Sequence, residues 1–126
     1  MEKVKCSSHD HFDEFLGSDI IMRLKQKAEN NEYANMTELN ELRDSAIINL
    51  PVFIKTLNQT GYELQSHEIQ LCILIKAGFR PSEIAVLMNL SPQNITNLRA
   101  RLNKKMFHAD KGARDFDEKI INLSSS

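Results

Sequence analysis

Between Gln93 and Arg101 lie six side chains whose types suit contact with the edges of base pairs. The amides of Gln93, Asn94 and Asn97 match the donor–acceptor pattern of adenine, and Arg101 carries a fork that fits guanine or a phosphate. Thr96 adds a hydroxyl, and Ala100 is small enough for close approach. Rotation by about 100° per residue sets Gln93, Asn97, Ala100 and Lys104 opposite the apolar stripe Ile95, Leu98, Leu102 and Met106, with Asn94, Thr96 and Arg101 flanking. Arg99, Arg101, Lys104 and Lys105 fill the last turns, and the segment from Ser91 to Phe107 contains no acid. Cations there also suit the negative end of a helix, so part of this charge has an ordinary structural explanation. Arg99 falls nearer the core side and is expected to pair with Glu83 or Glu68. His108, just beyond the segment, adds a candidate phosphate contact.

A face of this kind works only if its helix is rigidly placed. Ser91 is suited to cap that helix and Pro92 to occupy its first position. Pro81 opens a shorter helix with Ile84, Ala85, Leu87 and Met88 on one side, and Asn89-Leu90 makes a tight turn between the two. Before it, Ser66 can cap a helix carrying Ile69, Leu71, Cys72, Leu74 and Ile75, ended by Gly78. A short helix, a tight turn and a longer helix form the helix-turn-helix pattern.

Upstream, Phe12, Phe15, Leu16, Ile20, Met22 and Leu24 predict a helix broken near Gly17–Ser18, with Ser18 or Asp19 as a cap and Asn30–Asn31 as its end. Thr37 is a fitting cap for a helix with Leu39, Leu42, Ala46 and Leu50, and Pro51 starts another with Phe53, Ile54 and Leu57. A short helix near 113–123 presents Phe116, Ile120 and Leu123. With 4 Gly, 3 Pro and no useful strand alternation in 126 residues, the chain reads as all-α. The expected organisation is a polar N-terminus (1–11), a helical linker or dimerisation layer (12–62), the helix-turn-helix unit (63–109) and a C-terminal helix and tail (110–126).

The net charge of −1 hides an uneven distribution. Residues 1–65 carry 7 Lys/Arg against 11 Asp/Glu, residues 66–105 carry 6 against 2, and residues 106–126 carry 3 against 4. One basic segment inside an acidic chain is the footprint of a nucleic-acid contact.

The stretch Leu64–Met106 resembles the LuxR-type helix-turn-helix domain. The resemblance is carried by Leu64 and Glu68, Gly78, Glu83-Ile84-Ala85, Leu90-Ser91-Pro92, Ile95 and Leu102. It implies that Gln93, Asn94, Thr96, Asn97 and Arg101 face the groove and that Ser82, Lys104 and Lys105 lie near phosphates. The family often has Thr at the place of Asn94, His at that of Leu98 and a Lys-Leu-Gly close where Lys105-Met106-Phe107 stands here, so no base preference is carried over. Leu50-Pro51-Val52-Phe53 and Gly112–Asp117 are similar to the C-terminal part of Bacteroidetes regulators, in which tetratricopeptide repeats and often a membrane helix come first. That similarity implies an output portion of a larger sensor-regulator.

The remaining constellations point elsewhere or nowhere. Cys6, His9, Asp10 and His11 include metal-ligand types, but their spacing matches no closed site. Cys72 reads as a small core residue, and Glu38, Glu41 and Asp44 as a solvated helix face. No phosphate loop, nucleophile triad or metal-spaced helix occurs, so neither an enzyme nor a cofactor is expected. The expectation is a cytoplasmic, sequence-specific transcriptional regulator, a homodimer on double-stranded DNA, without membrane contact within this chain. Two alternatives are a protein-interaction adaptor that keeps the fold without binding DNA and a promoter-recognition module of sigma-factor type acting with RNA polymerase.

Overall fold

A computed structural model describes residues 9–123, and within them every regular element is a helix. In chain order these are α1 (Phe12–Leu16), α2 (Asp19–Glu29), α3 (Met36–Asn49), α4 (Pro51–Asn58), α5 (Ser66–Lys76), α6 (Pro81–Met88), α7 (Pro92–Phe107) and α8 (Gly112–Asn122). The break predicted near Gly17–Ser18 separates α1 from α2, and Pro51, Pro81 and Pro92 each occupy a first helical position.

Helix α5 is the hub. Leu71, Cys72, Ile73, Leu74 and Ile75 are all buried, an unbroken apolar run that no single stripe could accommodate. A helix that is apolar all round must be surrounded, and α3, α6 and α8 pack on it. One continuous core takes residues from all eight helices, with Phe15, Phe53 and Phe116 its largest fully buried side chains. Burial pushes the Cys72 thiol well up, which keeps it protonated and unreactive.

Capping differs from the sequence expectation at three helices; at α2 Ser18 holds the cap position, but its Oγ donates to Phe15 O at 2.7 Å instead of accepting from a free amide. Asn35, not Thr37, caps α3: its Oδ1 accepts from the Glu38 N–H at 2.8 Å, and Glu38 Oε1 accepts from the Asn35 N–H at 3.0 Å. Gln65, not Ser66, stands at the start of α5, where its N–H donates to Glu68 Oε1 at 2.8 Å. At α3 and α5 alike a Glu three residues on reaches back to the backbone N–H at the helix start, and at α3 the bonding is reciprocal.

Glu38 therefore does not belong to a solvated face. It is buried and accepts from Lys27 Nζ at 2.8 Å across the α2–α3 contact. Burial alone would raise its pKa, but the bonds from Lys27 and the Asn35 N–H outweigh that and hold it below the ordinary carboxylate range. A depressed folded pKa means stability that is present above the unfolded value and lost as pH falls through the folded one. The melting temperatures of the wild type and Glu38→Gln are thus expected to differ at neutral pH and to converge in acid. A gap of constant size between pH 7 and pH 3 would refute this assignment.

Asp10 caps α4 from 42 residues away, its carboxylate accepting from the Val52 N–H at 2.7 Å and the Phe53 N–H at 3.1 Å. Cys6 lies outside the described residues, among which no group of three or more metal-ligating side chains converges. At the other end of α5, Lys76 Nζ donates to the carbonyls of Ile121 (2.8 Å) and Leu123 (3.2 Å) and sits over the rings of Phe12 and Phe53. Among the described residues no helix is long and apolar enough to cross a membrane.

Candidate nucleic-acid interface

The connection from α6 to α7 is three residues long, so the two helices are held in a fixed relation. Asn89 adopts left-handed geometry (φ 56°), a conformation that Asn tolerates better than most residues. The turn closes the α6 end through Asn89 N–H to Val86 O (3.1 Å) and Leu90 N–H to Ala85 O (3.0 Å). Ser91 then caps α7, its Oγ accepting from the Asn94 N–H at 3.0 Å. Gly78 (φ 95°) reverses the chain between α5 and α6, where a Cβ would strain the backbone. The accessory helices grip the same unit: the Ala34 N–H donates to Leu87 O at 2.9 Å.

Helix α7 buries Ile95, Leu98, Leu102 and Met106, the stripe predicted from spacing. Gln93, Asn94, Thr96, Asn97, Arg101, Lys104 and Lys105 are exposed, as are Ser82 near the start of α6 and His108. Ala100 is half-buried on the α7 surface. Gln93 Nε2 donates to Asn97 Oδ1 at 3.0 Å, so these amides are aligned one turn apart in the absence of any partner. His108 takes left-handed geometry (φ 56°) and ends the helix.

Beside the exposed polar face of α7 runs a groove of about 350 Å³ lined by Asn94, Asn97 and Arg101 of α7, by Leu90 and Leu98, and by His67 from the start of α5. His67 stands outside the α6–turn–α7 segment and enters the groove from another helix. Only the packing of α5 on the rest of the bundle brings it to this groove, so no periodicity within α7 could have pointed to it.

Arg99 is a correction. Its Nε and Nη2 donate to the two carboxylate oxygens of Asp117 in α8, at 3.0 and 2.6 Å. The two carboxylates expected for it are occupied elsewhere. Glu83 accepts from the Arg80 N–H at 2.7 Å, and Glu68 accepts from the Gln65 N–H and, at 3.2 Å, from the Tyr62 hydroxyl. Burial and then the Glu68 carboxylate push the Tyr62 phenol up, so it remains a donor. Asn103, fully buried, donates to Gly112 O (3.2 Å) and Asp115 Oδ2 (3.1 Å), and Asp115 also accepts from Lys119. The back of α7 is thus fastened to α8 by polar bonds while its opposite face stays open.

The exposed cations of α7 differ in how free they are. Lys104 lies 3.5 Å from Asp110, both well exposed, an arrangement that water screens and a phosphate can displace. Lys105 rests over the Tyr62 ring with Nζ 5.7 Å from its centroid. Comparison of the chain with known protein families, with curated proteins and with solved structures returns no match.

Proposed function

We propose that the protein binds double-stranded DNA sequence-specifically through α7 and acts as a transcriptional regulator. The observation that carries this reading is the α6–turn–α7 unit with a rigidly backed, acid-free polar face on α7. In a helix-turn-helix the second helix lies in the major groove and the first spans the backbone. On that arrangement Gln93, Asn94, Thr96, Asn97 and Arg101 reach base edges, with Ala100 permitting close approach. Ser82, Lys104, Lys105 and His108 lie along the phosphates. Backbone contacts set register and orientation, and the amides and Arg101 supply discrimination. One such unit reads few base pairs, which favours a homodimer on two half-sites about one helical turn apart. The resemblance to LuxR-type domains supports the same reading and suits a cytoplasmic output unit of a larger regulator.

The test is selection from a randomised duplex pool followed by binding of the enriched sequence across salt concentrations. The expected result is a palindromic motif with log affinity falling linearly against log salt, several ions being released as Lys and Arg meet phosphates. Failure to enrich any motif, together with duplex affinity insensitive to salt, would sink the reading. The acidic N-terminal half would then favour a protein-binding adaptor. Enrichment only when RNA polymerase is present would favour the promoter-recognition alternative.

A further inference from the structure

Cations on this surface fall into two classes. Arg23, Lys27, Arg80, Arg99, Lys104 and Lys119 each hold a carboxylate partner. Among the described residues eight Lys and Arg side chains have no carboxylate within ion-pair distance, and three of these, Arg43, Arg101 and Lys105, gather around the start of α5. Arg43 reaches over from α3, its Nη1 donating to Ser66 Oγ at 3.3 Å. His67, the next residue, lines the groove that also holds Arg101, Asn94 and Asn97. Lys105 covers the ring of Tyr62 on the other side. The one acid beneath them, Glu68, is buried and engaged by the Gln65 N–H and the Tyr62 hydroxyl. The exposed balance of the patch is therefore positive.

Position decides what such a patch meets. An α-helix with its side chains is about 10–12 Å across, close to the roughly 12 Å width of the major groove. A helix seated there fills it, and whatever flanks that helix comes to lie over a phosphate strand. Starting from α7 as the reading helix, we propose that Arg43 and His67 form a second phosphate-contacting patch, continuous with Arg101 and Lys105, which grips the DNA strand beside α7. This makes the accessory helix α3 part of the DNA interface instead of only a scaffold or dimer element. A negatively charged protein surface would lack the regular spacing of charge that the α7 face requires alongside it.

The measurement is anisotropy of the full chain with a fluorescein-labelled mixed-sequence duplex over a salt series. Each Lys or Arg phosphate contact contributes about 0.9 to the slope of log affinity against log salt. Arg43→Gln is expected to flatten the slope by about that amount, whereas Arg43→Lys, which keeps the charge and disturbs the bond to Ser66, retains it. Arg23→Gln serves as the control, because Arg23 is paired with Glu41 and Glu41 points to the opposite side of α3 from Arg43. Melting curves establish that each variant is folded. A wild-type slope in Arg43→Gln, with the wild-type chain binding normally, overturns this proposal and leaves the reading helix intact. Equal losses in Arg43→Gln and Arg43→Lys overturn it as well, since the role would then be structural. If the wild-type chain binds no duplex at all, the reading of α7 falls first and this proposal with it.

Discussion

Reversing the charge at Arg101 and Lys104 together is expected to lower duplex affinity by at least about a hundredfold, with little change in stability. A lost Arg or Lys contact to base or phosphate costs about 1–3 kcal/mol, and the introduced carboxylates add repulsion from the phosphates. The fold should hardly respond. Both residues are exposed, Arg101 has no carboxylate partner among the described residues, and the Lys104–Asp110 pair is of the screened surface kind that contributes little. In R101E/K104E the salt dependence should also become shallower, by at least the roughly one contact's worth of ion release that Lys104 supplies. Unchanged affinity in a variant that melts like the wild type would show that α7 is not the DNA-facing helix.

The largest expected effect on stability comes from the opposite side of the same helix. Asp117→Ala leaves the Arg99 guanidinium buried, with the side chain 7% exposed, and without the carboxylate that engages two of its nitrogens. Stranding a buried charge costs far more than the intact pair contributes, and an expected loss is about 2–4 kcal/mol. For a chain of this length that corresponds to a fall in melting temperature on the order of 10 °C. Replacing both partners by apolar residues, as in R99M/D117L, should recover most of the loss, because nothing is then left uncompensated. Chemical denaturation of the two variants measures both values. A single variant within about 0.5 kcal/mol of wild type would mean that Arg99 finds water or another acceptor when Asp117 is gone.

The two positions illustrate what periodicity can and cannot reveal. The stripe Ile95, Leu98, Leu102 and Met106 is a property of one helix, and its burial follows from a repeat visible in the sequence. Pro81, Pro92, Ser91 and Gly78 announce boundaries because each acts on backbone within a residue or two of itself. The polar residues opposite the stripe are exposed for the same reason. The partner of Arg99 was not legible, since Asp117 is 18 residues away on another helix and nearer acids looked equally suitable. What disqualified Glu83 and Glu68 was their use as acceptors for the backbone N–H groups of Arg80 and Gln65, three residues before them. Glu38 was misread by the same route: a carboxylate among other acids on one helix looks solvated until Lys27 of α2 is placed against it. The places of His67 and Arg43 depend on how α3 and α5 pack and on where α6 and α8 set α7 relative to them, which carries no periodic signature in any one helix.

The Lys76 ammonium has a geometric corollary for the chain as a whole. It touches Phe12 near one limit of the described residues and the carbonyls of Ile121 and Leu123 at the other. Both limits of the described residues therefore lie near a single pole, at the C-terminal end of α5. The patch of Arg43 and His67 stands at the N-terminal end of that helix, about 15 Å away along its axis. The described residues nearest those limits are therefore remote from the exposed polar face of α7. A short linker between those limits, with new ends opened in the exposed Asn30–Tyr33 turn, would give a circular permutant that keeps every helix whole.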